Sequence, residues 1–222
     1  MINTSKQGDY LDPISDITHP IHIIGLGAIG STIATMLTRM GCPKLHLYDF
    51  DTVESKNVCN QDYFDSDIGK TKLEALTAQL KNINPSVEII EYPKGYEETT
   101  KLTGHIFLCV DNIDLRRAIV EANKGNPYII SISDFRMRLT DAQHYMCDTE
   151  HINYMLSTMQ FTHEEAVAET PISACGTSLN VITTVKTICA LGVQNFINMI
   201  KLNTYKKCIL IDLKESLIDF ID

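Results

Sequence analysis

The chain has 222 residues, 44% of them hydrophobic and 21% charged, with a net charge of −9 at neutral pH. That is the balance of a soluble globular protein, long enough for one large domain or two small ones. The acidic excess argues against nonspecific nucleic-acid binding, which needs a basic face. No stretch near twenty apolar residues suggests a membrane span, and the polar start does not read as a secretion signal.

Residues 1–18 read as a loose arm or short helix. Residues 21–25 (IHIIG) form a strand, and residues 30–40 a helix whose apolar positions, Ile33, Met36, Leu37 and Met40, recur at helical spacing. Gly41 stops that helix and Pro43 follows. Residues 45–48 form the next strand. Residues 72–83 form a helix with Leu73, Leu76, Leu80 and Ile83 on one face, ended by Asn84-Pro85. Strands are expected at 87–92 and 105–110, a helix at 114–123 closed by Gly125, and strands at 128–133 and 138–147. This alternation predicts an α/β fold with a doubly wound Rossmann-like sheet, mostly parallel.

Residues 148–172 are polar, acidic and weakly periodic, and read as a flexible crossover without regular structure. A long helix follows over 177–200, its core face carrying Ile182, Val185, Ile188, Cys189, Phe196 and Ile200. Residues 208–213 and 216–221 read as a terminal antiparallel hairpin. The whole chain, 1–222, reads as one domain. Its seven cysteines, at 42, 59, 109, 147, 175, 189 and 208, are odd in number and form no C-x-x-C pair. They read as reduced cytoplasmic thiols, not a disulfide framework or a four-cysteine zinc site.

Gly25, Gly27 and Gly30 spell G-x-G-x-x-G between a strand and a helix. The first allows the tight turn, the second lets backbone approach a phosphate, and the third lets helix and strand pack closely. The helix amino terminus then offers unpaired N–H groups to an anion. Asp49, twenty-four residues after Gly25, is placed to accept ribose hydroxyls, which disfavours NADP and leaves NAD and ATP both open.

The segment after Asp49 narrows the choice. The run Asp49-Phe50-Asp51-Thr52-Val53, then Asn57-Val58-Cys59-Asn60-Gln61, then Asp67-Ile68-Gly69-Lys70-Thr71-Lys72, then Asn84-Pro85, resembles the ThiF/MoeB family, bacterial relatives of ubiquitin-activating enzymes. Asp111-Asn112-Ile113-Asp114-Leu115-Arg116 matches the family's D-N-x-x-x-R. The resemblance covers residues 20–145 strongly and 173–222 loosely.

It implies an ATP- and Mg²⁺-dependent adenylyltransferase that activates the terminal carboxylate of a small ubiquitin-like protein or of a peptide with a carboxyl-terminal glycine. It also implies a homodimer in a minimal, zinc-free version of the fold. Under the resemblance Gly25, Gly27 and Gly30 shape the nucleotide turn, Asp49 holds ribose, Asn57 and Gln61 meet the phosphates, Lys72 neutralises phosphate charge and Asp111 holds Mg²⁺. Read alone, Lys72 is equally a solvated helix residue, Asp111 a helix cap and Asp51 the cap of a turn.

The pattern also departs from the family. Asn60 stands where the family carries arginine, a loss that typically costs roughly 10²–10³ in rate when a transition-state donor is removed. No arginine precedes Arg39, so an arm arginine lent across a dimer is also missing; Lys56 and Lys70 are the expected replacements. Cys175, just ahead of the last long helix, is a candidate acyl-accepting thiol or a packed small residue, and Cys59, in the phosphate-facing loop, is a thiol reactive by proximity or, by the stronger reading, simple packing. His151, His163, Glu164 and Glu165 read as solvated loop residues. Two other functions stay open: a catalytically weak nucleotide-binding docking subunit, and an NAD-dependent oxidoreductase, which leaves the Asp67-to-Lys72 pattern unexplained.

Overall fold

The structure is a computed structural model, and it describes all residues except 1, 11–13, 15 and 170–178. Its strands are β1 (Ile21–Ile24), β2 (Lys44–Tyr48), β3 (Glu88–Tyr92), β4 (Gly104–Leu108), β5 (Ile129–Arg138), β6 (Asp141–Cys147), β7 (Cys208–Asp212) and β8 (Leu217–Ile221). Its helices are α1 (Ala28–Arg39), α2 (Lys72–Ile83), α3 (Ile113–Ala122), α4 (Ile152–Ser157), α5 (His163–Ala168) and α6 (Ile182–Leu202).

The strands form one sheet in the order β3-β2-β1-β4-β5-β6-β7-β8. Pairing is parallel from β3 to β5 and antiparallel from β5 to β8. The doubly wound α/β class with antiparallel carboxyl-terminal strands is therefore the observed one. β1 is buried along its whole length, which explains why three of its four residues are isoleucine.

Two cores flank the sheet. One gathers Ile33 and Leu37 of α1, Leu76 and Leu80 of α2, and Val185, Ile188 and Phe196 of α6. The other packs Ile113 and Ile119 of α3 with Ile152 and Met155 of α4. The helices thus cover both faces, as parallel strands require. Among the described residues no helix is long and apolar enough to cross a membrane. Cys42, Cys59, Cys109, Cys147, Cys189 and Cys208 are free thiols, and of these Cys59 is exposed.

Several boundaries differ from the sequence reading for identifiable reasons. α1 begins at Ala28, since Gly27 serves as its cap. β5 runs past the expected end at 133 to Arg138, and the polar residues Ser131, Ser133 and Asp134 along it are buried. The stretch 148–172, expected to lack regular structure, carries α4 and α5 over its described part. There Ile152, Met155 and Met159 turn a narrow apolar stripe into the second core, and Thr162 and Glu165 cap α5 reciprocally. The long helix starts at Ile182 and ends on Asn203 in the left-handed region, φ 53°. The terminal hairpin is present as β7 and β8.

Candidate functional site

The parallel sheet reverses its strand order between β1 and β4, and ligands of open α/β sheets sit in the crevice outside the carboxyl ends of the strands at that point. The glycine turn lies there. Gly25 has φ +92°, and a Cβ on it would lie 2.8 Å from the backbone nitrogen of Val110, at the end of the neighbouring strand. A Cβ on Gly30 would lie 1.9 Å from the carbonyl oxygen of Gly25. These two glycines are demanded by packing. Gly27 is different: a Cβ there would meet nothing within 4 Å. It caps α1 without any side-chain hydrogen bond, so the helix offers its leading N–H groups to an outside acceptor.

Asp49, at the end of β2, is fastened to this turn. Its Oδ2 accepts from the backbone N–H of Leu26 at 2.6 Å, and its Oδ1 accepts from Asp51 N–H at 2.8 Å. The Lys72 ammonium stands 3.9 Å from the same Oδ2 and 2.7 Å from Asp51 Oδ2. Lys72 is only 7% exposed, so it is not a solvated surface lysine. A buried ammonium needs such partners.

Local folding explains how it gets there. The two matched segments pair through their backbones: Val53 N–H donates to Lys70 O, Gly69 N–H to Val53 O and Lys72 N–H to Asp51 O, each at 2.9 Å. Gly69 makes the turn at φ +88°, and Thr71 then caps α2 by accepting from Glu74 N–H. Burial opposes charge on Asp67, but bonds from Phe64, Lys70 and Gln79 outweigh it and hold its carboxyl below the usual range. Beside this end of the site, Asp49, Phe50, Thr71 and Leu73 help line a crevice of about 100 Å³.

Asp111 follows β4 and is exposed. The cap of α3 is Asn112, whose side chain accepts from Leu115 N–H at 3.0 Å, so Asp111 is free of that duty. Asn57 is buried, and its side-chain oxygen accepts from Glu54 N–H at 2.8 Å; it shapes the loop. Asn60 donates to Asn180 O at 3.5 Å. The side-chain oxygen of Gln61 is buried without a hydrogen-bond partner among the described residues, so it can accept from a ligand donor. Tyr63 closes this loop over the turn by donating to Leu26 O at 2.8 Å. Cys175 lies outside the described residues.

The two proposed replacement cations are tied to their own neighbours, Lys56 to Glu54 at 3.1 Å and Lys70 to Asp67 at 2.9 Å. Sequence reasoning did not find the buried cluster beneath the site. The Arg116 guanidinium binds the Asp134 carboxylate and the carbonyl oxygens of Val110 and Phe135. Arg136 binds the other Asp134 oxygen at 2.6 Å. Burial would raise the Asp134 pKa, but the two arginines outweigh it and hold the carboxyl below the usual range. The only sequence signal was Arg116 at the end of the D-N-x-x-x-R match.

The ThiF family profile matches residues 18–200. Ubiquitin-like modifier-activating enzyme 5 of Bombyx mori is 37% identical over 117 residues, 45% of this chain and 29% of that protein. The Arabidopsis thaliana protein of the same name is 36% identical over 124 residues, 46% and 28% of the two chains. The matched segment thus spans less than a third of these relatives. Among solved structures, PaaA superposes with a TM-score of 0.73 at 15% identity, covering 96% of this chain and 66% of that one. Escherichia coli MccB solved with ATP gives 0.70 at 17% identity, covering 96% and 65%. At such identity the superpositions speak for the fold.

Proposed function

Because the chain belongs to the ThiF family, we propose that it activates a carboxylate with ATP by adenylyl transfer, the carboxylate being the terminus of a small ubiquitin-like protein or a peptide ending in glycine. The observation that carries this reading is the sharing of one oxygen. Asp49 Oδ2 holds the glycine turn at Leu26 and stands beside the Lys72 ammonium, so a buried cation sits at the edge of a helix terminus that has no side-chain cap bond. That pairing suits phosphate charge, and charge that grows on a reacting phosphate demands it more than the unreacting diphosphate of a dinucleotide does.

In this reading the α1 N–H groups and the open side of Gly27 receive the phosphates, and the Asp49 carboxylate, each oxygen of which already takes one backbone N–H, uses a remaining lone pair for a ribose hydroxyl. The substrate carboxylate oxygen attacks the α-phosphorus. The bond from that phosphorus to the bridging oxygen breaks, pyrophosphate leaves with the electron pair, and an acyl-adenylate forms. Lys72 neutralises charge that grows on the phosphate oxygens, the main demand of such transfers. The carboxylate of Asp111 fits a hard cation, and it would hold Mg²⁺, which supplies further charge neutralisation on the phosphates. The relatives named as ubiquitin-like modifier-activating enzymes support a protein substrate, and MccB, solved with ATP and with MccA, supports a peptide. A homodimer is part of the same proposal.

The test is ATP–pyrophosphate exchange with Mg²⁺ and a panel of peptides ending in Gly or Gly-Gly. Exchange that needs both ATP and such a peptide supports the reading. Binding of NAD with refusal of ATP, measured by calorimetry, overturns it.

A further inference from the structure

We propose that Lys186 is a positioning residue of this site: through Asp62 it pins the Asn60–Asp62 loop to α1 and couples the last long helix to the glycine turn. Lys186 lies in the second turn of α6. Its ammonium donates to Thr32 Oγ1 at 2.7 Å and to the Asp62 carboxylate, partners 154 and 124 residues away in the chain.

Asp62 is held from its other side as well. Its backbone N–H donates to Ser31 Oγ at 3.1 Å, and Ser31 Oγ donates to Gly27 O at 2.7 Å. A continuous path therefore runs from α6 through Asp62 to the residue that caps α1. The same loop bears Asn60, which reaches Asn180 just before α6, and Gln61, whose side-chain oxygen lacks a partner.

The other lysines near this loop cannot fill the part. Lys56 and Lys70 answer local acids within three residues, and the acids beside Lys72 are Asp49 and Asp51, outside the Asn60–Asp62 loop. Lys186 and Asp62 are 43% and 22% exposed in their side chains, so the pair contributes little to global stability. Its consequence is geometric. Loop displacement of about 1 Å at a reacting centre can cost a hundredfold in rate.

The proposal rests on nucleotide binding at the glycine turn, so wild-type ATP binding is measured first. If the wild type does not bind ATP, the functional reading fails before Lys186 is tested. With binding established, K186M and D62N are each expected to lower pyrophosphate exchange at saturating ATP roughly 10- to 100-fold. The double variant K186M/D62N loses no more than either single one, melting temperatures stay near wild type, and amide exchange of residues 58–63 quickens. The charge-swapped pair K186D/D62K recovers at least half of the lost factor on a logarithmic scale, and K186R keeps most activity. The inference is overturned if D62N keeps full activity while K186M loses it, since Lys186 then acts by its own charge. It is overturned equally if the swap recovers nothing or if both single variants are as active as wild type.

Discussion

Replacing the three glycines one at a time by alanine separates packing from ligand approach. Gly25→Ala places a side chain at φ +92° and 2.8 Å from Val110 N. The left-handed conformation costs about 1–2 kcal/mol and the overpacking about 1–3 kcal/mol more. Gly30→Ala drives a methyl to 1.9 Å from the Gly25 carbonyl, so the helix must move off the strand, at about 1–3 kcal/mol or more. In a chain of this length each kcal/mol lowers the melting temperature by roughly 2–4 °C, and Gly25→Ala melts roughly 4–20 °C below wild type. Gly27→Ala meets no atom within 4 Å. Alanine is a poorer helix cap than glycine, but its lower unfolded-state entropy offsets most of that, leaving about 0–1 kcal/mol. Its methyl occupies the space through which a phosphate approaches the α1 N–H groups, so ATP affinity falls at least tenfold, about 1.4 kcal/mol. Thermal melts with ATP titration by calorimetry read both effects. A Gly27→Ala protein that binds ATP like wild type, or a Gly30→Ala protein that melts like wild type, refutes the reasoning.

Lys72→Met lowers pyrophosphate exchange by roughly 10²–10³, and Lys72→Arg keeps part of the rate; an unchanged Lys72→Met rate contradicts the assignment. Arg116→Met leaves Asp134 with Arg136 alone and removes the guanidinium's bonds to the Val110 and Phe135 carbonyls, which costs about 3–5 kcal/mol; a urea midpoint close to wild type would show that the cluster does not hold the β4–α3 loop. Stability also falls as the solution is acidified. Burial, aided by His46, pushes the His22 pKa down to about 3, and burial brings His105 and His144 to about 4. In the unfolded chain histidine titrates near ~6.5, so between that value and about pH 4 the unfolded state binds more protons. Each of these histidines then removes up to about 1.4 kcal/mol per pH unit. Urea midpoints at pH 7 and pH 5 measure this, and a flat profile counts against neutral burial.

The β1–α1–β2 unit was legible because its signals are local: an apolar run, glycines at fixed offsets and an acid at the next strand end. The Asp67-to-Lys72 match marked the lysine at the head of α2, but not its partners, since Asp49 and Asp51 meet it only after two segments pair through their backbones. The expected strand ended at 133, and Asp134 continues it inside the sheet because Arg116 and Arg136 supply the compensating charge. α4 hides its stripe of Ile152, Met155 and Met159 among polar neighbours. Lys56 and Lys70 were proposed for their nearness in sequence, whereas the lysine that reaches the loop comes from α6. Contacts across such separations leave no periodic trace in the chain.

The crystal structure of the protein with ATP and Mg²⁺ tests the central claim most directly. The account predicts phosphates over Gly27 at the start of α1, Lys72 within hydrogen-bond distance of a phosphate oxygen, and the Asp111 carboxylate on the metal. A nucleotide bound elsewhere, or seated at the glycine turn with Lys72 and Asp111 both out of reach, would contradict it.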